Sequence, residues 1–246
     1  MAPSVDFNAY QYTDLVHREA DVYANAKYQI ILGYLAGRRQ LRVLNAGCGS
    51  GELSFLLAVA GHAVVGIDPA QEYIDLAKRR TPAELSGRCF FQVSSIEGFV
   101  SAEQFDCVIA TDVLEHIKDD TVAWGKLVQL VKPEGDIVIT VPALPSLFGY
   151  HDELLGHFRR YTKTSFRNLI AGSGIESKQL RYFGFTLIPI CLLYSRIWRK
   201  PYPVASARPG SGAILRQGLL KLLLTADRFC PLPLGISLIF WGVKAE

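Results

Sequence analysis

The sequence predicts a doubly wound α/β fold, in which helices cover both faces of a mostly parallel sheet. Between residues 41 and 141, short β-branched runs alternate with segments of helical period, the pattern of repeated β-α-β units. A glycine-rich turn at 47–51 directly follows the first run. We expect a seven-stranded sheet with six parallel strands. The last strand is expected to be antiparallel because the short approach Pro231–Gly235 suits a hairpin-like return.

The order of the elements follows from the same alternation. The predicted strands are Arg42–Asn45, Ala63–Ile67, Cys89–Val93, Cys107–Thr111, Asp136–Val141, Ser177–Tyr182 and Ser237–Val243. The predicted helices are His17–Leu35, Glu52–Ala60, Gln71–Arg80, Thr121–Val131, Lys163–Ala171, Thr186–Trp198 and Ile214–Phe229. A turn is expected at Pro133–Gly135 and a polar loop from Phe148 to Tyr161.

Four parts are predicted along the chain. Residues 1–40 form a helical N-terminal lid, and residues 41–185 form the α/β core that carries the binding site. Residues 186–233 form a helical insertion that chooses the acceptor, and residues 234–246 return to the core as the final strand. The chain of 246 residues is therefore expected to be one catalytic unit with helical additions.

Composition excludes several classes of protein. Hydrophobic residues make up 50% of the chain and charged residues 20%, a globular balance rather than that of a disordered chain. The five cysteines never form a C-x-x-C pair, which favours reduced thiols over disulfides or zinc. The N-terminus does not resemble a signal peptide, and no apolar stretch reaches the roughly 20 residues of a spanning helix. We expect a cytoplasmic protein.

Basic residues are concentrated towards the C-terminus. From Arg181 to Glu246, nine Lys and Arg residues stand against Asp227 and Glu246, so this segment carries about +7 and the rest about −4. One interpretation is a solvated rim around core helices. The other is contact with an anionic or lipid-like acceptor or with a membrane surface, which would make the protein peripheral to the membrane.

The glycine turn is the most informative segment. Residues 43–51 read V-L-N-A-G-C-G-S-G, so a strand enters glycines that let the backbone approach a ligand at a helix N-terminus. Asp68 follows Gly51 by 17 residues and ends the second strand, where a carboxylate can accept ribose hydroxyls. The G-x-G-x-G spacing differs from the G-x-G-x-x-G of dinucleotide sites and so disfavours an NAD-dependent dehydrogenase.

Three segments, residues 45–51, 105–116 and 130–136, resemble in order the motifs of class I S-adenosylmethionine-dependent methyltransferases, and the resemblance covers about residues 38–183. It implies a Rossmann-like fold, S-adenosylmethionine as cofactor and S-adenosylhomocysteine as product. Asn45 stands where the family more often has an acid, and Ser95 where many members have a carboxylate. The implied cofactor-binding residues are Asn45, Gly47, Cys48, Gly49, Gly51, Asp68, Pro69, Ser95, Ile96, Ala110 and Thr111.

Methyl transfer from an activated sulfonium needs a positioned acceptor and, where required, a base. Three histidines, His116, His151 and His157, follow strand ends on the expected ligand side and are the candidate bases, whereas His62 lies on the opposite side. His151, Asp152 and His157 could instead ligate a metal or form a helix cap with ion pairs; we expect no metal. The candidate acceptor contacts are Tyr10, Tyr23, Arg159, Arg160 and Tyr161.

The resemblance therefore implies methyl transfer to an oxygen or carbon of a small, hydrophobic or lipid- or glycan-linked acceptor. A non-catalytic S-adenosylmethionine-binding protein and a small-molecule N-methyltransferase are the alternatives. A nucleic-acid substrate is not expected, because residues 111–114 read T-D-V-L rather than the Asn/Asp-Pro-Pro-aromatic segment common in methyltransferases acting on nucleic acids.

Overall fold

A computed structural model describes residues 21–200, 213–229 and 232–246, with side chains from residue 218 onward in the second range. Its sheet has seven strands in the order β3-β2-β1-β4-β5-β7-β6. Strand β7 is antiparallel to both of its neighbours, so the predicted arrangement is confirmed. The strands are β1 (Arg42–Ala46), β2 (Ala63–Asp68), β3 (Cys89–Val93), β4 (Phe105–Thr111), β5 (Val131–Pro142), β6 (Ile175–Phe183) and β7 (Ser237–Lys244).

Helices cover both faces of the sheet. No helix within the described ranges is long and apolar enough to cross a bilayer. The helices are α1 (Val22–Tyr34), α2 (Glu52–Val59), α3 (Gln71–Arg80), α4 (Asp120–Leu130), α5 (Tyr150–Leu155), α6 (Lys163–Ile170), α7 (Ile188–Cys191) and α8 (Ala213–Phe229).

The central strands β1 and β4 are buried on both sides, which explains their nearly continuous apolar sequences. Leu44 of β1 and Val108 of β4 belong to the core cluster under α4 and α6. Their neighbours Val43 and Ile109 belong to the cluster under α1, α2 and α3. Alternate residues of one strand thus enter opposite cores, as the period of two requires.

Strand order sets the position of the site. Strand β1 lies between β2 and β4, and its last residue, Ala46, pairs with Ile67 on one side and with Ala110 on the other. After β1 the chain crosses to β2 on one side, whereas β4 lies on the other side of β1. A crevice therefore opens at the carboxyl ends of these strands. The glycine turn at 47–51 lies in this crevice.

The N-terminal helix and the C-terminal helices share a third apolar cluster. Ile30 of α1 packs there with Phe183, Cys191 and Leu224. Helix α8 is also joined to the end of β6, because the Asp227 carboxylate accepts the backbone N–H of Gly184 at 2.6 Å and that of Phe185 at 2.8 Å. We call these packed helices, α1, α7 and α8, the cap. The division into the four predicted parts stays a prediction.

Two segments differ from the sequence expectation. The stretch expected to be a loop from Phe148 to Tyr161 contains α5, a helix of six residues whose first turn is capped by a hydrogen bond from the Gly149 N–H to Asp152 Oδ2. Strand β5 starts before the expected turn rather than after it: residues 132–135 form a bulge between the pairs Phe105–Val131 and Cys107–Asp136.

Candidate active site

The glycine turn adopts backbone conformations that favour glycine. The φ angles are +72° at Gly47, +51° at Gly49 and +93° at Gly51. A Cβ at Gly47 would lie 2.3 Å from Cγ2 of Val113, and one at Gly51 would lie 2.9 Å from Cζ of Phe55. Glycine is therefore required by the close packing of the turn as well as by the approach of a ligand.

Asp68 is fixed beside this turn. Its Oδ2 accepts the Gly49 N–H and its Oδ1 accepts the Ala70 N–H, each at 3.0 Å. Burial raises the pKa of Asp68, and these two hydrogen bonds only partly offset that rise. Each carboxylate oxygen has a second lone pair, so the oriented side chain retains acceptors for the ribose hydroxyls that the resemblance implies.

Asn45 provides a buried acceptor under the turn. Its Nδ2 donates to Ser54 Oγ at 2.9 Å, whereas its Oδ1 is buried without a hydrogen-bond partner among the described residues. A buried carbonyl oxygen in that state is rare and fits a ligand that brings an N–H donor, such as the ammonium group of S-adenosylmethionine.

Cys48 contributes its backbone rather than its thiol. The N–H groups of Gly47 and Cys48 donate to the Ile67 carbonyl at 2.8 and 2.9 Å and join the turn to β2. The thiol packs into the core cluster under α2 and α3, and burial raises its pKa. A contact between Cys48 and the cofactor, as predicted, would therefore come from its backbone atoms.

The ends of β2 and β3 lie side by side, which brings the predicted cofactor contacts Pro69, Ser95 and Ile96 to the same edge of the sheet. The Ser94 N–H donates to the Asp68 carbonyl at 3.0 Å. Pro69 and Ser95 are exposed there, and Ser95 Oγ accepts the Gly98 N–H at 3.1 Å. The Ile96 side chain is buried in the core cluster under α4, so a contact from this residue would come from its backbone.

Ala110 and Thr111 end β4 beside the glycine turn. Ala110 is fully buried and pairs with Ala46 at the end of β1, and Thr111 pairs with Thr140 of β5. This places both predicted backbone contacts along the same crevice. Their contact with the cofactor stays a prediction.

Sequence reasoning missed an ion pair at the end of β4. Asp112 has φ +54°, accepts the Thr140 hydroxyl at 3.0 Å and pairs with Lys27 of α1, whose side chain is only 4% exposed. Asp112 could have been singled out because it follows a strand on the ligand side. Lys27 had no such signal, since its partner is 85 residues away.

Tyr23 of α1 also reaches the carboxyl edge of the sheet. Its hydroxyl donates to Ser237 Oγ at 2.7 Å, and its ring stacks on Phe183 with centroids 5.5 Å apart. Helix α1 thus covers the edge where an acceptor would bind, as expected of the lid. Tyr10 and residues 1–20 lie outside the described residues.

Two of the three candidate bases are brought together. The rings of His116 and His157 meet edge to face with centroids 4.6 Å apart. Nδ1 of His157 lies 2.9 Å from Asp152 Oδ1, and Arg160 Nε donates to the same oxygen at 2.7 Å. Burial opposes ionisation of Asp152, but the His157 hydrogen bond and the Arg160 charge outweigh it and lower the pKa of Asp152. Asp152 therefore acts as a helix cap that also pairs with His157 and Arg160.

His116 and His151 are partly buried and neutral near pH 7. Burial, with a further contribution from His157, lowers the pKa of His116 to about 4, although a hydrogen bond to the Leu155 carbonyl opposes this. Burial lowers the pKa of His151 to about 3, and its backbone N–H donates to Ser195 Oγ at 3.3 Å. His62 lies next to the start of β2, on the opposite edge of the sheet, as predicted.

Glu115 is a second residue that sequence reasoning missed. It is fully buried, and neither carboxylate oxygen has a hydrogen-bond partner among the described residues. Burial and the nearby Asp112 charge raise its pKa well above the ordinary value. Donor atoms of Glu115, His116 and His157 lie within 4.8 Å of one another and could hold a metal ion. The metal alternative drawn from the sequence named His151 and Asp152 instead of Glu115 and His116.

The remaining predicted acceptor contacts hold the loop together. Arg160 is buried and also donates to the Ala143 carbonyl at 3.1 Å. Arg159 pairs with Asp120 at 2.8 Å, and the hydroxyl of the buried Tyr161 donates to the same carboxylate at 2.7 Å. Their contact with an acceptor stays a prediction.

The family described as "Methyltransferase domain" matches residues 7–180 of the chain. The chain belongs to this family. Together with the glycine turn, Asp68 and the strand order, the match places it among the class I S-adenosylmethionine-dependent methyltransferases.

Curated relatives match part of the chain. The mitochondrial ubiquinone biosynthesis O-methyltransferase of Mus musculus is 38% identical over 104 residues, which cover 41% of this chain and 28% of the relative. The ubiquinone biosynthesis O-methyltransferase of Xanthomonas oryzae pv. oryzae is 36% identical over 124 residues, which cover 48% of this chain and 51% of the relative. The matched segment thus spans about half of these relatives or less.

Solved structures share the fold over nearly the whole chain. Phosphoethanolamine N-methyltransferase 2 of Haemonchus contortus, in complex with S-adenosyl-L-methionine, aligns with a TM-score of 0.66 at 18% identity. The alignment covers 99% of this chain and 61% of that chain. At this identity the likeness concerns the fold alone.

Proposed function

We propose that this methyltransferase transfers a methyl group from S-adenosylmethionine to a hydroxyl oxygen of a small acceptor with an apolar body, with His157 as the general base. The observation that carries the proposal is the buried Asp152 carboxylate on Nδ1 of His157, beside the crevice that holds the glycine turn. Val113 packs against Gly47 and directly precedes the turn containing His116, so the two parts adjoin.

The cofactor supplies an activated methyl group. The residues that would hold it are the glycine turn, Asp68 and Asn45, and the buried Oδ1 of Asn45 is the acceptor most in need of such a ligand. Asp68 would bind the ribose and thereby orient the methyl donor towards the cap.

The hydrogen bonds of His157 support its proposed role as the base. With a hydrogen on Nδ1, His157 donates a hydrogen bond to the ionised Asp152, and Nε2 is then the basic nitrogen. His116 is neutral and places no positive charge beside it. Nε2 of His157 can then accept the proton of the acceptor hydroxyl as the oxygen becomes nucleophilic. Arg160 and the Gly149 N–H hold Asp152 in place and so position the base.

Two observations support the acceptor class. The curated relatives are named ubiquinone biosynthesis O-methyltransferases, which favours oxygen over carbon or nitrogen as the methylated atom. At the carboxyl edge of the sheet, Phe183 at the end of β6 and Leu187 just before α7 belong to the third apolar cluster, and the ring of Tyr23 stacks on Phe183. Such surroundings suit an acceptor with a polar reacting group on an apolar body.

The test is a panel of phenols and catechols with and without alkyl chains, compared with matched amines. Formation of S-adenosylhomocysteine reports turnover. His157→Gln is expected to lower kcat by about 100-fold or more while the cofactor dissociation constant changes by less than about threefold. His62→Gln, on the opposite edge, is the matched control. Unchanged turnover in His157→Gln, or methylation of the amines alone, would contradict the proposal.

A further inference from the structure

We infer that the outer face of α8 docks the enzyme on an anionic lipid surface. The outer face comprises Leu219, Leu222, Leu223 and Phe229, all exposed, with Leu222 at 66% and Phe229 at 76%. Exposed apolar residues are ordinary when scattered, but a contiguous set on one helix marks an interaction site. This inference is independent of the reaction proposed above.

Helical geometry places these four side chains together. Leu222, Leu223 and Phe229 follow Leu219 by three, four and ten residues. These spacings put all four on one side of α8, with Ala226 between them. Leu224 and Asp227 are buried on another side of α8 and join it to the rest of the protein. Helix α8 therefore carries two separate apolar sides, and the core uses only one of them.

The preceding helical segment also exposes apolar side chains. After α7 the chain continues as a π-helix over Leu192–Trp198, in which Ile197 and Trp198 are exposed. Cys191, the last residue of α7, and Leu224 of α8 belong to one apolar cluster, so the start of the π-helix and α8 are anchored in the same cluster. Tryptophan is favoured at membrane surfaces because its ring is apolar and its N–H is polar.

The positive charge of the C-terminal region favours an anionic lipid surface as the partner of the outer face. Exposed Arg196, Lys200 and Lys221 accompany the apolar residues, within a C-terminal region of about +7. Anionic headgroups complement these charges, and long basic side chains can reach them while leucines enter the acyl boundary. A second copy of this chain would instead bring two basic regions together, which charge repulsion opposes.

The experiment is co-sedimentation of the purified chain with vesicles of phosphatidylcholine alone or of equal parts phosphatidylcholine and phosphatidylglycerol. We expect binding to the anionic vesicles that weakens as salt is raised. Leu222→Asp with Phe229→Asp should reduce the partition coefficient about tenfold or more, because two apolar side chains no longer insert. Lys200→Glu with Lys221→Glu should reduce binding to anionic vesicles.

The matched control is Val100→Asp, which changes an 82% exposed valine next to Ser101, a residue bonded to Arg42 at the opposite edge of the sheet. Melting temperature and S-adenosylhomocysteine affinity should be unchanged in every variant, which separates docking from folding and from the reaction. Equal sedimentation of the outer-face variants and the parent would overturn the inference. So would equal binding to neutral vesicles, no binding at all, or a dimer in solution that the outer-face variants abolish.

Discussion

Replacing Asp68 with alanine should weaken S-adenosylhomocysteine binding by about 10- to 150-fold. One hydrogen bond to a charged group contributes about 1.5–3 kcal/mol, and 1.4 kcal/mol corresponds to a factor of ten. The variant also releases the Gly49 N–H from its 3.0 Å hydrogen bond, so the turn loses an orienting contact. Water can reach the exposed neighbouring residue Pro69, so we expect the freed backbone groups to be solvated and the fold to survive.

Calorimetric titration at pH 7, together with thermal melting, measures this effect. Glu72→Ala is the control, because Glu72 is exposed and acts on Asp68 only through its charge. Equal affinities for parent and Asp68→Ala, at unchanged melting temperature, would refute the assignment of Asp68 to the ribose. A loss of the same size in Glu72→Ala would show that net charge, not the oriented carboxylate, accounts for the effect.

The pH dependence gives an independent check on Asp68. Burial raises its pKa, so protonation begins at a higher pH than for an ordinary aspartate. The ligand prefers the ionised carboxylate, and its affinity should therefore fall as pH is lowered towards that raised pKa. Asp68→Ala should show a flatter profile over the same range, and identical profiles would count against the role.

Three further predictions concern stability. Gly47→Ala should lower the free energy of unfolding in urea titrations more than Gly37→Ala. Both glycines have positive φ, but only at Gly47 would a Cβ lie 2.3 Å from another side chain. Equal losses of unfolding free energy would show that close packing does not require glycine at position 47. Glu115→Gln, studied with EDTA, should be more stable than the parent at pH 7 and similar at pH 4, since burial raises the pKa of Glu115 and ionisation therefore opposes folding as pH rises. Equal stability of variant and parent at both pH values would contradict this. Asp112→Ala should cost about 3 kcal/mol and exceed Lys27→Met in thermal melts, because it leaves the buried ammonium without its carboxylate; the reverse order would count against the ion pair.

The parts of the site that sequence could predict are local. The glycine turn, Asp68 and the end of β4 lie within short segments whose strand–turn–helix context is legible from residue order. The seven strands and their mostly parallel direction follow from the same alternation, and the antiparallel β7 follows from its short approach, whereas the order of the strands in the sheet was not predicted. These features need no knowledge of which distant residues meet.

The parts of the site that the sequence could not predict depend on contacts between residues far apart in the chain or on competition for hydrogen-bond partners. Lys27 meets Asp112 only because α1 returns over the sheet. Arg160 and Tyr161 were assigned to the acceptor because they are polar residues in a loop on the ligand side. In the folded chain Arg160 also donates to Asp152 and Tyr161 to Asp120, two contacts that residue order does not reveal. Whether these side chains also contact an acceptor stays a prediction.

The attachment of α8 through Asp227 has an evolutionary consequence. Its carboxylate holds the sheet by two backbone N–H groups, at Gly184 and Phe185, rather than by side chains of the sheet. The joint therefore constrains Asp227, together with the buried Leu224, while the exposed positions of α8 are free to vary in sequence. Substitutions elsewhere on this helix can change what the enzyme meets without loosening its hold on the catalytic sheet.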